Sequence, residues 1–223
     1  MILTRLPATL TLGIAAVILT VVVAIPLGVL TALKANSFFD NFSRITSLGV
    51  LSLPNFWWAL LLVYVFSIAL KVLPVQGMGM PPDIAHLILP TIALASAQIA
   101  VTSRLVRAVM LEELTKDYIR TARAKGLSER TVMFKHALRN ALPTIITDIG
   151  HRAVMTIVGG AVIIEVVFSW PGMGRLMITS FLDLDYPLIQ ITILIMAVVA
   201  VVSNIIWDVA AAMLDPRIRK GMM

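Results

Sequence analysis

Long apolar runs joined by short polar segments set the pattern of this chain. Five runs have membrane length, at roughly 9–33, 45–70, 85–107, 142–168 and 188–213. Apolar stretches of about 18 residues or more read as spanning helices, because a backbone in lipid has to satisfy its own hydrogen bonds. Pro26 and Gly28 are expected to break the first run in its second half, and Pro54 and Asn55 fall inside the second. A Pro/Gly-rich turn is expected at 72–83, and a loop with a short surface helix at 169–186.

The one long polar stretch is Asp117 to Pro143, DYIRTARAKGLSERTVMFKHALRNALP. Thr115 is expected to cap a helix there, with Asp117 in its first turn. Gly126 would end that helix, since glycine favours the position just past a C-terminus. Ser128 can cap a second helix, which Pro143 would stop. The expectation is a short helix, a glycine elbow and another short helix on a membrane face.

Charge gives this island a side. Nine of the eighteen Lys and Arg lie between Arg104 and Arg139, against four acids, a net +5 of the chain's +6. Short Lys/Arg-rich loops are retained in the cytoplasm. That places the 72–83 loop, the Trp170 loop and Met1 outside, and the 34–44 connector and the basic tail inside. The 223 residues are 59% hydrophobic and 13% charged, about half the charged share of a soluble domain. Mean hydropathy is +0.96. The positive balance sits mainly in one loop and implies no nucleic acid. No phosphate loop or dinucleotide fingerprint is present. His86, His136 and His151 lack the spacing of a helical metal site, and there is no cysteine.

Polar residues inside the spans are costly in lipid. Asp148 and Arg152 share a helix face four residues apart and are expected to pair, with a direct substrate contact as the alternative. Asn55 and Gln98 either line a pathway or hydrogen-bond between helices. Glu165, near the outer end of the fourth run, reads equally as an interfacial anchor or as part of an external gate. The four tryptophans read as interfacial aromatics. Ala93, Ala97 and Ala100 form a small-residue face for close helix packing.

The island resembles the cytoplasmic signature loop of ABC-importer permeases, E-A-A-x-x-x-G-x9-I-x-L-P. Aligned on Gly126, one alanine (Ala122) and the leucine (Leu138) match, while Arg120 stands at the glutamate and Arg139 at the final proline. The wording is more similar to the dipeptide, oligopeptide and nickel branch. So are RLPATLTLGIAAV from Arg5, IPLGVLTALK from Ile25, GGAVIIEVVFSWPGMGRL from Gly159, and the terminal LDPRIRK.

The resemblance implies an all-α polytopic membrane bundle. It would have about five transmembrane helices and a cytoplasmic coupling-helix loop at about 108–141, in one domain over 1–223. It also implies that this chain lacks the family's usual first span, as a fragment, through a mis-called start at Met1 or as a naturally short form. The implied function is the permease subunit of an ATP-driven importer in a bacterial or archaeal plasma membrane, passing peptides delivered by an extracytoplasmic solute-binding protein. Nickel or another small solute is the alternative, and a self-contained transporter or channel is the rival from another class. The chain itself would be no enzyme and bind no cofactor. ATP-Mg would sit on two cytoplasmic ATPase subunits, and a second, homologous permease chain would complete the pathway. Tyr118, Arg120, Thr121, Ala122, Arg123, Ala124, Lys125, Gly126 and Leu127 are the implied ATPase-coupling residues. Glu165, Pro171, Gly172 and Gly174 belong to the external loop.

Overall fold

The computed structural model describes residues 2–79 and 83–214. Helix α1 spans Ile2–Leu33 and helix α2 spans Phe38–Ser52. They are followed by α3 at Asn55–Ala69, α4 at Ile84–Leu114 and α5 at Asp117–Ala124. The long α6 runs Glu129–Val167, α7 runs Met173–Leu182, and α8 runs Tyr186–Leu214. No strand occurs among the described residues. The basic tail after Leu214 and Met80 to Pro82 of the Pro/Gly turn lie outside them.

Helices α1, α4, α6 and α8 are each long and apolar enough to cross a membrane. The second run is not one straight span. Its two helices, α2 and α3, meet at 106°. Pro54 explains the break, because it lacks an N–H and drives Leu53 into extended backbone, ψ 136°. The pair still makes one crossing. Asp40 of α2 bonds Arg107 near the basic end, whereas Ala59 and Leu62 of α3 pack with Phe168 and Trp170 at the far end.

Two other expected breaks do not occur. Pro26 lies within continuous α1, and Pro143 lies within α6, so the helix after the elbow is not short but is the start of the fourth span. Membrane helices accommodate proline where neighbours cover the freed carbonyl. Helix α6 does carry π-type turns at Val132–Ala137 and Thr156–Gly160.

Helices α1 and α4 form the central pair. A Cβ on Gly28 would fall 2.5 Å from Val106 Cβ and 2.7 Å from the Ser103 carbonyl, so only glycine permits this approach. Ala93 and Ala100 are buried on α4, as the small-residue pattern anticipates. The packing among the described residues divides into two large clusters and a small one of Met173, Leu176 and Met196. Leu12, Leu89, Ile164, Phe168 and Trp170 fill the far end. Val29, Met110, Ile119, Val132 and Ile145 fill the basic end.

Candidate functional site

The basic elbow is built on the last turn of α4. Thr115 does not cap α5. Its hydroxyl donates to the Glu112 carbonyl and closes α4, while Lys116 occupies the N-cap without a side-chain bond. Glu113 is buried at 7% exposure and accepts from the Tyr118 hydroxyl and the Lys116 ammonium. Burial, then the bond to Glu113, pushes the Tyr118 phenol above its usual range. The same carboxylate raises Lys116. Glu113 is therefore the node that fixes α5 to the end of a span, a role that charge counting does not disclose.

Two residues of α5 face the bundle. Ile119 is fully buried and Ala122 nearly so, among Val29, Met110 and Val132. The expected contact set is thus split. Ala122 anchors the helix, while Tyr118, Arg120, Thr121, Arg123, Ala124, Lys125, Gly126 and Leu127 are on the exposed side. Gly126 has φ +76°, a left-handed conformation that suits glycine at a helix end. Ser128 caps α6, accepting from the Thr131 N–H. Across the elbow Arg123 makes a forked bond to Glu129, at 2.8 and 3.2 Å. That bond raises the arginine's already high pKa. Arg120 also reaches Asp117, at 3.4 Å, so two of the three coupling cations, Arg120, Arg123 and Lys125, are already paired within the chain.

A second tie at this end has no local sequence signal. Arg107 of α4 holds Asp40 through both carboxylate oxygens, at 2.7 and 2.6 Å. Asp40 is fully buried and also accepts from the Asn36 N–H at 2.9 Å. This bidentate pair clamps the connector between α1 and α2 to the central pair.

At the far end the backbone closes around Glu165. The side chain is fully buried, so it is no interfacial anchor. Thr9 of α1 donates to Oε1 at 2.6 Å, and the Arg175 N–H donates to Oε2 at 3.0 Å. Thr9 in turn accepts from the Met173 N–H at 2.7 Å. A Cβ on Gly172 would fall 2.1 Å from Oε1, and one on Gly174 would fall 2.6 Å from Val162 Cα. These glycines leave room for the carboxylate and the helix. Pro171 lies between Gly172 and Trp170, whose indole donates to the Ala8 carbonyl at 2.9 Å. Trp170 is 1% exposed, so it belongs to the core rather than to an aromatic belt. Ser169, at φ +51°, offers its carbonyl to Arg175 at 2.7 Å. The segments RLPATL and EVVFSWPGMGR, far apart in sequence, thus form one joint.

Between the two ends lies the anticipated ion pair. Arg152 Nε donates to Asp148 at 2.8 Å. Gln98 lines a cavity of about 10 Å³ beside Arg152, whereas Asn55 lies exposed at the start of α3. No grouping of His, Asp and Glu suited to a metal occurs among the described residues.

Comparison with known proteins gives the family and the fold. Residues 24–220 match the family described as binding-protein-dependent transport system inner membrane component. The chain is 43% identical to the oligopeptide transport system permease protein AppB of Bacillus subtilis, over 98% of this chain and 71% of that protein. It is 40% identical to the di/tripeptide permease DppB of Pseudomonas aeruginosa, over 97% and 72%. The dipeptide permease DppB of Escherichia coli is 38% identical, over 96% and 71%. Inward-facing structures of the MetNI methionine ABC transporter share the fold, at TM-scores of 0.76 and 0.80. Identity to them is only 16% and 14%, and the match covers 96% of this chain and 96% and 95% of theirs. The chain is a multi-pass membrane protein and belongs to the binding-protein-dependent transport system inner membrane component family.

Proposed function

We propose that this chain is one of two transmembrane subunits of an ATP-driven importer for di- and oligopeptides. What supports the substrate class is the set of relatives at 38–43% identity, each named for peptide transport. What supports the coupling role is the elbow. Helix α5 is held to the core by Ile119 and to the end of α4 by Glu113. It turns at Gly126 directly into α6, so a push on its exposed face reaches a full span without an intervening flexible loop. In this reading α5 faces the cytoplasm and docks on an ATPase subunit. Arg120 and Lys125 meet acidic groups there, while Arg123 stays on Glu129 and stiffens the elbow. Tyr118, Thr121, Ala124 and Leu127 supply the remaining exposed contact surface. ATP-Mg is held by the ATPase, and its closure tilts α4 and α6.

The Glu165 joint then lies on the external side. Glu165, Pro171, Gly172 and Gly174 shape the loop that meets the solute-binding protein. The second permease chain is a homologous partner.

Crosslinking tests the coupling. Single cysteines at Arg120 and Leu127, both exposed, are crosslinked in membranes expressing the whole system. An ATPase crosslink whose yield changes with ATP is expected. Absence of any ATPase adduct at both positions, with the chain at normal level, overturns the reading.

A further inference from the structure

Helix α6 exposes two kinds of surface. Beyond Thr156 it shows Gly159, Ile163 and Val166, which suit lipid or a packed helix. Before it, the exposed or half-exposed stripe is Thr144, Thr147, Asp148, His151, Arg152 and Met155. These positions recur every three or four residues and share one face. The adjoining stripe, Ile145, Ile149 and Ala153, is buried in the bundle. By contrast α8 presents an apolar outer face, with Ile191, Leu194, Val198 and Ile205 exposed.

Depth decides what the polar stripe can face. Arg152 shares its cavity with Val17 and Thr20 of α1 and with Gln98 and Thr102 of α4. Those residues lie near the middles of spans Thr4–Leu33 and Ile84–Leu114. Arg152 is therefore at mid-membrane, where lipid contact would cost about 2.5–3.5 kcal/mol for each charge. The stripe has to face water or another polar surface.

The arginine is also incompletely satisfied. Nε is on Asp148, but the two terminal nitrogens make no hydrogen bond among the described residues. Behind them Thr102 Oγ1, with the residue fully buried, has no partner either. A guanidinium with spare donors, one acceptor beside it and an open flank can rotate between partners.

We propose that the stripe centred on Asp148 and Arg152 lines the solute pathway. Arg152 releases Asp148 to bind the free carboxylate of the passing solute, and so selects for carboxyl-terminated peptides. This rests on the peptide reading above. Asp148 returns the guanidinium to its resting place after release, and Thr102 and Gln98 hold it from behind. The α-amino group of the same solute would meet Asp148 while Arg152 is engaged.

The test is uptake by the complete importer in proteoliposomes, with saturating loaded binding protein. The probes are a dipeptide and the same dipeptide as its C-terminal amide. The wild-type ratio of acid to amide is expected to exceed about tenfold, the scale of a hydrogen bond to a charged group. Arg152→Gln is expected to bring the ratio near unity, and Arg152→Lys to retain most of it. The exchange Asp148→Arg with Arg152→Asp keeps an ion pair on this face and guards against a folding artefact. It is expected to lose the preference as well. A wild-type ratio in Arg152→Gln, or in the exchanged pair, means that Arg152 only pairs with Asp148 and overturns the proposal. If the wild type takes up neither probe, the peptide reading falls, and this inference with it.

Discussion

At the far end the backbone closes around a buried carboxylate, and at the basic end it turns in the open. Each joint needs a glycine, but for different reasons. Gly172 has φ −97° and ψ −175°, which any residue can adopt, yet a Cβ there would overlap Glu165. Gly126 has φ +76°, yet a Cβ there would meet nothing within 4 Å. One glycine is demanded by space and the other by torsion. The far joint tolerates no added atom, so its geometry is fixed by packing. The elbow is fixed by a few bonds at its edges and leaves its outer face free. A rigid seal and an accessible lever would be built in these two ways.

Substitution at the far joint is expected to have the largest effect. Gly172→Ala forces Glu165 away from Thr9 and Arg175 and is expected to destabilise by about 3 kcal/mol. Glu165→Ala leaves the Thr9 hydroxyl and the Arg175 N–H without an acceptor, at about 1–3 kcal/mol for each buried group. Both should show as loss of monodisperse protein after heating in detergent. Survival of Gly172→Ala at the wild-type midpoint would mean that the loop moves aside freely, and the contrast between the joints would collapse.

The next largest effect is expected at Arg107. Removing it leaves Asp40 buried and uncompensated, which costs about 3 kcal/mol. Asp40→Asn combined with Arg107→Gln should recover much of that loss, since both charges are then gone. A double-mutant cycle on thermal midpoints measures the coupling. Additive effects would show that the clamp does not hold the α1–α2 connector.

These two joints also mark where the sequence was legible and where it was not. The five crossings follow from apolar run length, which is a local property. Gly126 and Ser128 were legible because a helix end and a helix cap are written within a few neighbouring residues. The Asp148–Arg152 pair followed from helical spacing alone. Thr9 and Glu165 lie 156 residues apart, and Asp40 and Arg107 lie 67 apart. No local pattern pairs them. Trp170 looked like a belt residue because hydropathy carries no information on tertiary cover. Thr115 reads as a cap from its neighbours, but its hydroxyl is taken by the Glu112 carbonyl at the end of α4. Pro143 reads as a stop by the rule for soluble helices, but a spanning helix accommodates it.

At the elbow itself, Gly126→Ala is expected to cost about 1 kcal/mol through left-handed strain alone. Gly126→Pro goes further. Proline cannot reach a positive φ, and it deletes the Gly126 N–H bond to the Arg123 carbonyl, now 2.9 Å. Peptide uptake is expected to vanish with Pro and to persist with Ala, while membrane levels of both stay near wild type. Equal loss of the protein itself from the membrane would place Gly126 with Gly172 as a packing residue.

The smallest effect on stability, and the sharpest on mechanism, is expected at Arg123 and Glu129. Both are largely exposed, so breaking the fork should shift stability by well under about 1 kcal/mol. Arg123→Glu is nevertheless expected to abolish uptake, because two carboxylates would repel across the turn that sets the angle between α5 and α6. Exchanging the pair, Arg123→Glu with Glu129→Arg, restores the attraction with reversed polarity. If the elbow only needs stiffness, the exchange should recover most of the uptake. If Arg123 instead leaves Glu129 to meet an acidic group on the ATPase, the exchange should remain inactive at wild-type protein level. Uptake measured on the single and exchanged variants therefore separates a lever held by its own ion pair from one completed only by its partner.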